Sequence, residues 1–294
     1  QMRMNKELWT IGRLLQWTEQ YFRNKGIESS RLDGEVLLSH ILGQERIYLY
    51  VNYDKPLTKE ELDAFRPLVM KRAEGLSVAA IIGKKEFMGL MFNVSEDVLI
   101  PRPDTETLVE DILSLLDKDT EYRLLDVCTG PGTILYSLLH YLPKSTGMGL
   151  DISKKALQVA ATNRQQLELE ERAKLCVSDM FGALRELGGY EESFDVITSN
   201  PPYIPTAEIA TLSEEVKREP MIALDGGETG LDFYDILVKE AALYIKSGGW
   251  LAVEIGCGQE NKVADMAAAT GYYGDPVYNR DIAGIIRELR WQRL

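Results

Sequence analysis

The chain is poor in the residues that most often carry acid–base, metal or redox chemistry. It has two histidines and three cysteines among 294 residues. His40 and His140 each fall in a helix-like apolar stretch, where packing is the commoner role than base or ligand. Cys128, Cys176 and Cys257 lie far apart, are odd in number and lack metal-ligand spacing. They read as reduced thiols, so a cytoplasmic protein is expected. A histidine-based hydrolase, a zinc enzyme and a disulfide-stapled fold are set aside, and no metal is expected. No apolar run approaches the ~20 residues of a membrane helix, and no signal peptide is legible, so no membrane partner is expected. Basic charge is scarce as well: 33 Lys and Arg against 46 Asp and Glu leave a net charge of −13. The densest basic segment is Arg287, Arg290 and Arg293. Tight polyanion binders usually carry a basic stripe, which makes nucleic acid an unexpected direct substrate.

What is present is ample core material, 45% of the chain being hydrophobic. Residues 5 to about 75 read as helices, with Leu8, Ile11, Leu15 and Phe22 at helical spacing before Gly26. A second apolar face runs from Leu32 to Leu42, and Thr58 with Glu61 has the spacing of a capping box. Lys84 to Val94 suggests a β-hairpin, and Asp104 or Thr105 can cap a helix whose apolar side is Leu108, Val109, Ile112, Leu115 and Leu116. From residue 122 strands alternate with helices. Strands are expected at 123–128, 146–150, 173–177, 194–199, 250–255, 273–278 and 284–291. The fold class is α/β: a Rossmann-like, seven-stranded, mostly parallel sheet closed by an antiparallel edge hairpin, plus a small N-terminal helical domain. The expected domains are 1–80, a helical unit; 81–103, a hairpin linker; and 104–294, the α/β unit. The helical unit carries no catalytic constellation; a structural lid and a platform for a macromolecular partner both remain open.

In such a sheet ligands sit beyond the C-terminal strand ends, where strand order reverses. Four successive strand ends carry polar residues, Asp126, Asp151, Asp179 and Asn200. Asp126 opens the turn Asp126-Val127-Cys128-Thr129-Gly130-Pro131-Gly132, whose glycines let backbone approach a ligand closely. Thr133, Ile134 and Leu135 follow, so the third glycine of a dinucleotide fingerprint is missing and an NAD site is disfavoured. Asp151 stands about twenty residues further on, the distance at which a carboxylate meets ribose hydroxyls. Asp179 is suited to accept from an exocyclic amino group of adenine, although an exposed loop carboxylate fits it nearly as well.

Beyond the strand 194–199 comes Asn200-Pro201-Pro202-Tyr203. Two prolines stiffen the chain there. The Asn200 side-chain oxygen and the Pro201 carbonyl are acceptors that can grip a substrate NH2 group, and Tyr203 can cover a planar group. Alone, Asn-Pro is a turn signal; beside the other strand ends it becomes a candidate catalytic and substrate-binding loop comprising Asn200, Pro201, Pro202 and Tyr203.

Together these residues resemble the class I S-adenosylmethionine-dependent methyltransferases, and Asn-Pro-Pro-Tyr resembles the subset acting on planar NH2 groups. Leu99-Ile100-Pro101-Arg102-Pro103-Asp104-Thr105-Glu106 is similar to the LIPRPETE signature of the release-factor glutamine methyltransferases (HemK/PrmC family). Glu219-Pro220, Ala223-Leu224, Gly226-Gly227, Gly230 to Tyr234, Val253-Glu254-Ile255-Gly256 and Gln259 extend the resemblance over essentially the whole chain. Pro131 replaces the family's usual Ser, Ile285 and Ile286 replace polar residues of its C-terminal motif, and Glu74 to Ala80 departs from its usual linker. The resemblance implies S-adenosyl-L-methionine as cofactor, held by Asp126, Thr129, Gly130, Gly132, Asp151, Asp179 and Asn200. It implies methylation of the glutamine in the Gly-Gly-Gln motif of peptide-chain release factors, with Asn200, Pro201 and Tyr203 catalytic. The long segment from Ile204 to Thr229, together with the helical domain, is expected to clasp the release factor. Two rivals stay open: an amino methyltransferase acting on adenine or guanine in nucleic acid, and a binder that keeps the fold without turnover.

Overall fold

The computed structural model describes residues 8–294. They divide into two compact units, one ending at Gly83 and one beginning at Lys84. The expected helical start at residue 5 lies outside the described residues.

The first unit contains α1 (Ile11–Asn24), α2 (Ser30–Leu42), α3 (Arg46–Val51), α4 (Lys59–Ala73) and α5 (Val78–Ile82). Helical spacing gathers Ile11, Leu15, Phe22, Leu37, Leu38 and Phe65 into its core. Thr58 Oγ1 accepts the Glu61 N–H at 3.1 Å, the cap that its spacing predicts. Leu8, expected on the first helix, precedes it and is exposed. Helices α3 and α5 are too short for an apolar period to register, so the sequence does not announce them. Arg72 and Asp33 form a buried ion pair at 2.8 Å that ties α4 to α2.

The second unit opens with a hairpin, β1 (Lys84–Phe87) and β2 (Leu90–Asn93). The main sheet contains β3 (Arg123–Val127), β4 (Thr146–Asp151), β5 (Ala173–Val177), β6 (Phe194–Ser199), β7 (Ile245–Glu254), β8 (Val277–Arg280) and β9 (Ile286–Gln292). Its seven strands run in the order β5-β4-β3-β6-β7-β9-β8. Strands β3 to β7 are parallel, and β9 is antiparallel to both β7 and β8. The final hairpin is therefore antiparallel as expected, with its second strand inserted between β7 and the edge. Tyr273, expected inside a strand, makes only an isolated bridge to Arg293.

The helices of this unit are α6 (Glu106–Leu115), α7 (Thr133–Tyr141), α8 (Lys154–Gln166), α9 (Gly182–Leu187), α10 (Glu214–Lys217), α11 (Met221–Leu224), α12 (Asp232–Tyr244) and α13 (Glu260–Thr270). Parallel strands need crossovers, and their helices cover the sheet. Leu125, Val127, Ile197, Leu251 and Val253 pack with Tyr234, Leu237 and Ala241 of α12 in one continuous core. Strand order reverses at β3, which has β4 on one side and β6 on the other. The C-terminal ends of the parallel strands thus open along one edge, at the switch point. No helix among the described residues is long and apolar enough to cross a membrane.

Candidate active site

The turn after β3 is shaped by local sterics. Cys128 has φ 61° and Gly130 φ 55°, so the chain reverses within a few residues. Gly132 follows at φ 89°, and a Cβ there would stand 2.2 Å from the Tyr136 ring, so only glycine fits where α7 begins. The loop is anchored from behind by Asn163 of α8, which is fully buried. Its Nδ2 donates to the Pro131 carbonyl at 2.9 Å and to the Asn93 carbonyl at 3.0 Å, while its Oδ1 accepts the Asn93 N–H at 2.6 Å. Pro131 thus contributes its carbonyl to a latch that needs no N–H at that position.

Asp126 does not line the cleft. Its carboxylate is buried beside β6 and accepts from Thr129 Oγ1 at 2.7 Å and Thr198 Oγ1 at 2.9 Å. Burial pushes its carboxyl up to about 7, against the pull of these two hydroxyls. The structure gives it a hold on the loop rather than a ligand-facing atom. Gly132 likewise lies behind the cavity walls, whereas Thr129 and Gly130 stand on them.

Asp151 ends β4 at the cleft. Its Oδ2 accepts the Gly130 N–H at 2.9 Å and its Oδ1 the Ser153 N–H at 2.9 Å. Ser153, not Asp151, caps α8, its Oγ accepting from Ala156 N at 3.1 Å. Burial raises the Asp151 carboxyl, and the two N–H bonds oppose that. A carboxylate has room for further donors at each oxygen. Asp151, Gly130, Asp179 and Asn200 line one cavity with Leu99, Val127, Ile152, Ala156 and Met180. An apolar slot with a carboxylate acceptor beside it can take a planar base and the hydroxyls of its sugar.

Asn200 stands where this cavity meets two smaller ones. One is bounded by Ile100, Arg102, Thr129 and Pro131, the other by Arg102, Pro201, Tyr203, Ile204 and Val216. The Asn200 Oδ1 is buried and has no hydrogen-bond partner among the described residues. An unpaired buried carbonyl costs roughly 1–3 kcal/mol, so a donor is wanted there.

The loop carrying Asn200 is clasped on several sides. Ser199 Oγ donates to the Val127 carbonyl at 2.6 Å. Gln259 Nε2 donates to the Tyr203 carbonyl at 2.9 Å while its Oε1 accepts the Gly256 N–H at 2.9 Å. Gly230 lies against the loop so closely that a Cβ would come 2.5 Å from the Tyr203 carbonyl oxygen. The Tyr203 hydroxyl donates to Glu254 Oε2 at 3.3 Å, and Thr105 Oγ1 donates to Glu254 Oε1 at 2.5 Å. Thr105 therefore does not cap α6 with its side chain, since its hydroxyl is drawn to the carboxylate. Burial pushes the Glu254 carboxyl up to about 7 and raises the Tyr203 phenol as well. The phenol is thus a neutral donor.

A further wall comes from the segment before α6. The Ile100 N–H donates to Glu219 Oε1 at 2.7 Å, and the Arg102 guanidinium pairs with the other oxygen. Glu219, Glu254, Gln259 and Asn163 were not singled out for roles by sequence alone. Glu254 had a readable signal, an acid inside the apolar run Trp250 to Ile255; Glu219 and Gln259 stood only in segments of the family resemblance, and Asn163 had no signal before its partners were known.

A family model described as "PrmC N-terminal domain" matches residues 13–83, and one described as "Methyltransferase domain" matches residues 118–253. The release factor glutamine methyltransferase of Geobacter sulfurreducens is 45% identical over 90% of this chain and 91% of its own. That of Rhodopirellula baltica is 38% identical over 98% of each chain. A crystal structure of the hMettl16 catalytic domain in complex with MAT2A 3'UTR hairpin 1 shares the fold, with TM-score 0.56 and 14% identity over 80% of this chain and 81% of that one. Identity at this level over nearly full length, with matches in both units, leaves one assignment: the chain belongs to the release factor glutamine methyltransferases.

Proposed function

We propose that this enzyme transfers a methyl group to the side-chain amide nitrogen of the glutamine in the Gly-Gly-Gln motif of peptide-chain release factors. The donor in this reading is S-adenosyl-L-methionine, and the place of work is the cytoplasm. The observation that carries the proposal is the Asn200 Oδ1, buried and without a partner among the described residues, at the meeting point of the three cavities.

The residues present fit the donor. Asp151 would receive its ribose hydroxyls, the walls Leu99, Ile152, Ala156 and Met180 would flank its base, with Asp179 at the rim, and Thr129 and Gly130 would border its remaining length. Asp126 and Gly132 would act by shaping that loop. When bound, S-adenosyl-L-methionine supplies an electrophilic methyl on its sulfonium and leaves as S-adenosyl-L-homocysteine.

The protein's task is then to hold a poor nucleophile. An amide nitrogen shares its lone pair with its carbonyl. Asn200 Oδ1 and the Pro201 carbonyl accept its two N–H bonds and favour the charge that develops on nitrogen, as an oxyanion hole favours the opposite charge, and the loss of one of those two protons then leaves the neutral N-methyl amide. Pro202 stiffens the loop, and Tyr203 packs on the amide plane. A site that offers acceptors to NH2 excludes glutamate, which would place oxygen against oxygen. The alignment of nitrogen and methyl carbon is the main gain.

The test is methyl transfer from labelled donor to a purified bacterial release factor, beside a copy whose Gly-Gly-Gln glutamine is replaced by alanine. Label on the intact factor alone supports the reading. Label on neither factor, with label on RNA or DNA, favours a nucleic-acid amino methyltransferase. Donor binding without transfer to any of them favours a binder without turnover.

A further inference from the structure

Glu254 closes β7 with 3% of its surface exposed, and no described cation lies within ion-pair distance of it. Arg102 acts on it only at longer range, and Asp104 opposes that effect. A carboxyl buried this fully is unfavourable unless its hydrogen bonds do something that an apolar side chain cannot. Its side chain is committed at both oxygens, to Thr105 Oγ1 and to the Tyr203 hydroxyl, and its backbone carbonyl accepts the Tyr234 hydroxyl at 2.7 Å.

Both side-chain partners belong to walls of the site. Thr105 follows the Leu99–Arg102 segment that borders both side cavities. Tyr203 borders the cavity shared with Pro201. Without Glu254 the Tyr203 backbone would still be held by Gln259, but the far end of the ring would have no hydrogen-bond anchor. A ring free to turn about its own side-chain torsions presents a variable face to whatever packs on it.

We propose that Glu254 is a positioning residue that fixes the Tyr203 ring from behind and couples it to the wall segment through Thr105. It touches neither donor nor acceptor. This inference rests on the proposed methyl transfer, and it predicts a loss in turnover rather than in donor affinity.

Glu254→Leu keeps volume and removes both acceptors. Its kcat with release factor should fall on the order of tenfold, while donor affinity by calorimetry stays within about twofold. Glu254→Gln can still accept from Tyr203 and donate to Thr105, so it should restore kcat to within about threefold of the parent. Tyr203→Phe should lower kcat comparably, and Glu254→Leu added to it should cost nothing more, because Glu254 and its Thr105 contact act on turnover only through the Tyr203 hydroxyl. Should Glu254→Leu fail to fold, Thr105→Ala serves instead: a several-fold loss in kcat that vanishes in the Tyr203→Phe background. Multiplying losses, an unchanged kcat in Glu254→Leu, or an equal loss of donor affinity would overturn the positioning role. Absence of transfer by the parent enzyme would remove the proposed reaction itself, and this inference with it. Transfer by the parent with unaffected variants would remove only the inference.

Discussion

Ile100 and Glu219 are joined across 119 residues of chain by a backbone N–H donated to a carboxylate at 2.7 Å. Arg102 pairs with the second oxygen, so the segment before α6 and the segment after the Asn200 loop close on each other. Burial raises the Glu219 carboxyl, and Arg102 draws it back. Glu219→Ala should leave the Ile100 N–H without its partner and lower stability by about 1–3 kcal/mol. Because Leu99 and Pro220 both line the larger cavity, donor affinity should fall with it. Thermal unfolding and calorimetry on the same variant check the two effects.

Asp151 and Asn200 should fail in different ways. Asp151→Ala removes the carboxylate at the end of β4 and should weaken donor binding by about 10- to 100-fold, as expected for losing charge-assisted bonds. Asn200→Ala removes the unpaired acceptor and should lower kcat by about 100-fold or more, as for a lost oxyanion-hole group, with donor affinity largely kept. Calorimetry with donor and single-turnover methylation separate them. Equal loss of donor affinity in both would place Asn200 on the donor rather than on the acceptor amide.

Glu288 gives a pH-dependent expectation. It lies opposite Glu254 across β7 and β9, is fully buried, and neither of its oxygens has a hydrogen-bond partner among the described residues. Burial, with the neighbouring Asp111 carboxylate, pushes its carboxyl up to about 11, although Arg290 opposes the shift. The folded state therefore keeps a proton that the unfolded chain releases above its ordinary value of 4.5. A raised folded value means that stability is fullest at acid pH and falls as pH rises through the window. Glu288→Gln, which mimics the protonated form, should gain on the parent as pH rises from about 6 to about 9, by at most ~1.4 kcal/mol per pH unit. Denaturant unfolding at several pH values measures the gap; a gap that stays constant would mean the carboxyl is already ionised in the folded protein.

The sequence alone determined the elements whose signals are local. Helix α7 is found at the expected residues 133–141 because an apolar run follows a glycine turn. The cap at Ser153 and the strands that end at Val127, Asp151 and Ser199 were legible for the same reason. The Asn200 loop was legible because two prolines and a polar strand end leave few conformations. Tertiary structure decided what depends on direction across space. The insertion of β9 between β7 and β8 is a choice of pairing that no periodicity encodes. Asp126 and Asp151 look alike as acids at strand ends, yet only Asp151 reaches the cleft. Asp126 pairs with Gly149 across β3 and β4, two residues short of the level of Asp151, so the two acids share a face of the sheet and only the farther one stands at its open end. Glu254, Gln259 and Glu219 acquire meaning only through partners 51, 56 and 119 residues away. A hydrogen bond depends on position and angle rather than on spacing along the chain, so only folding brought these groups to the site.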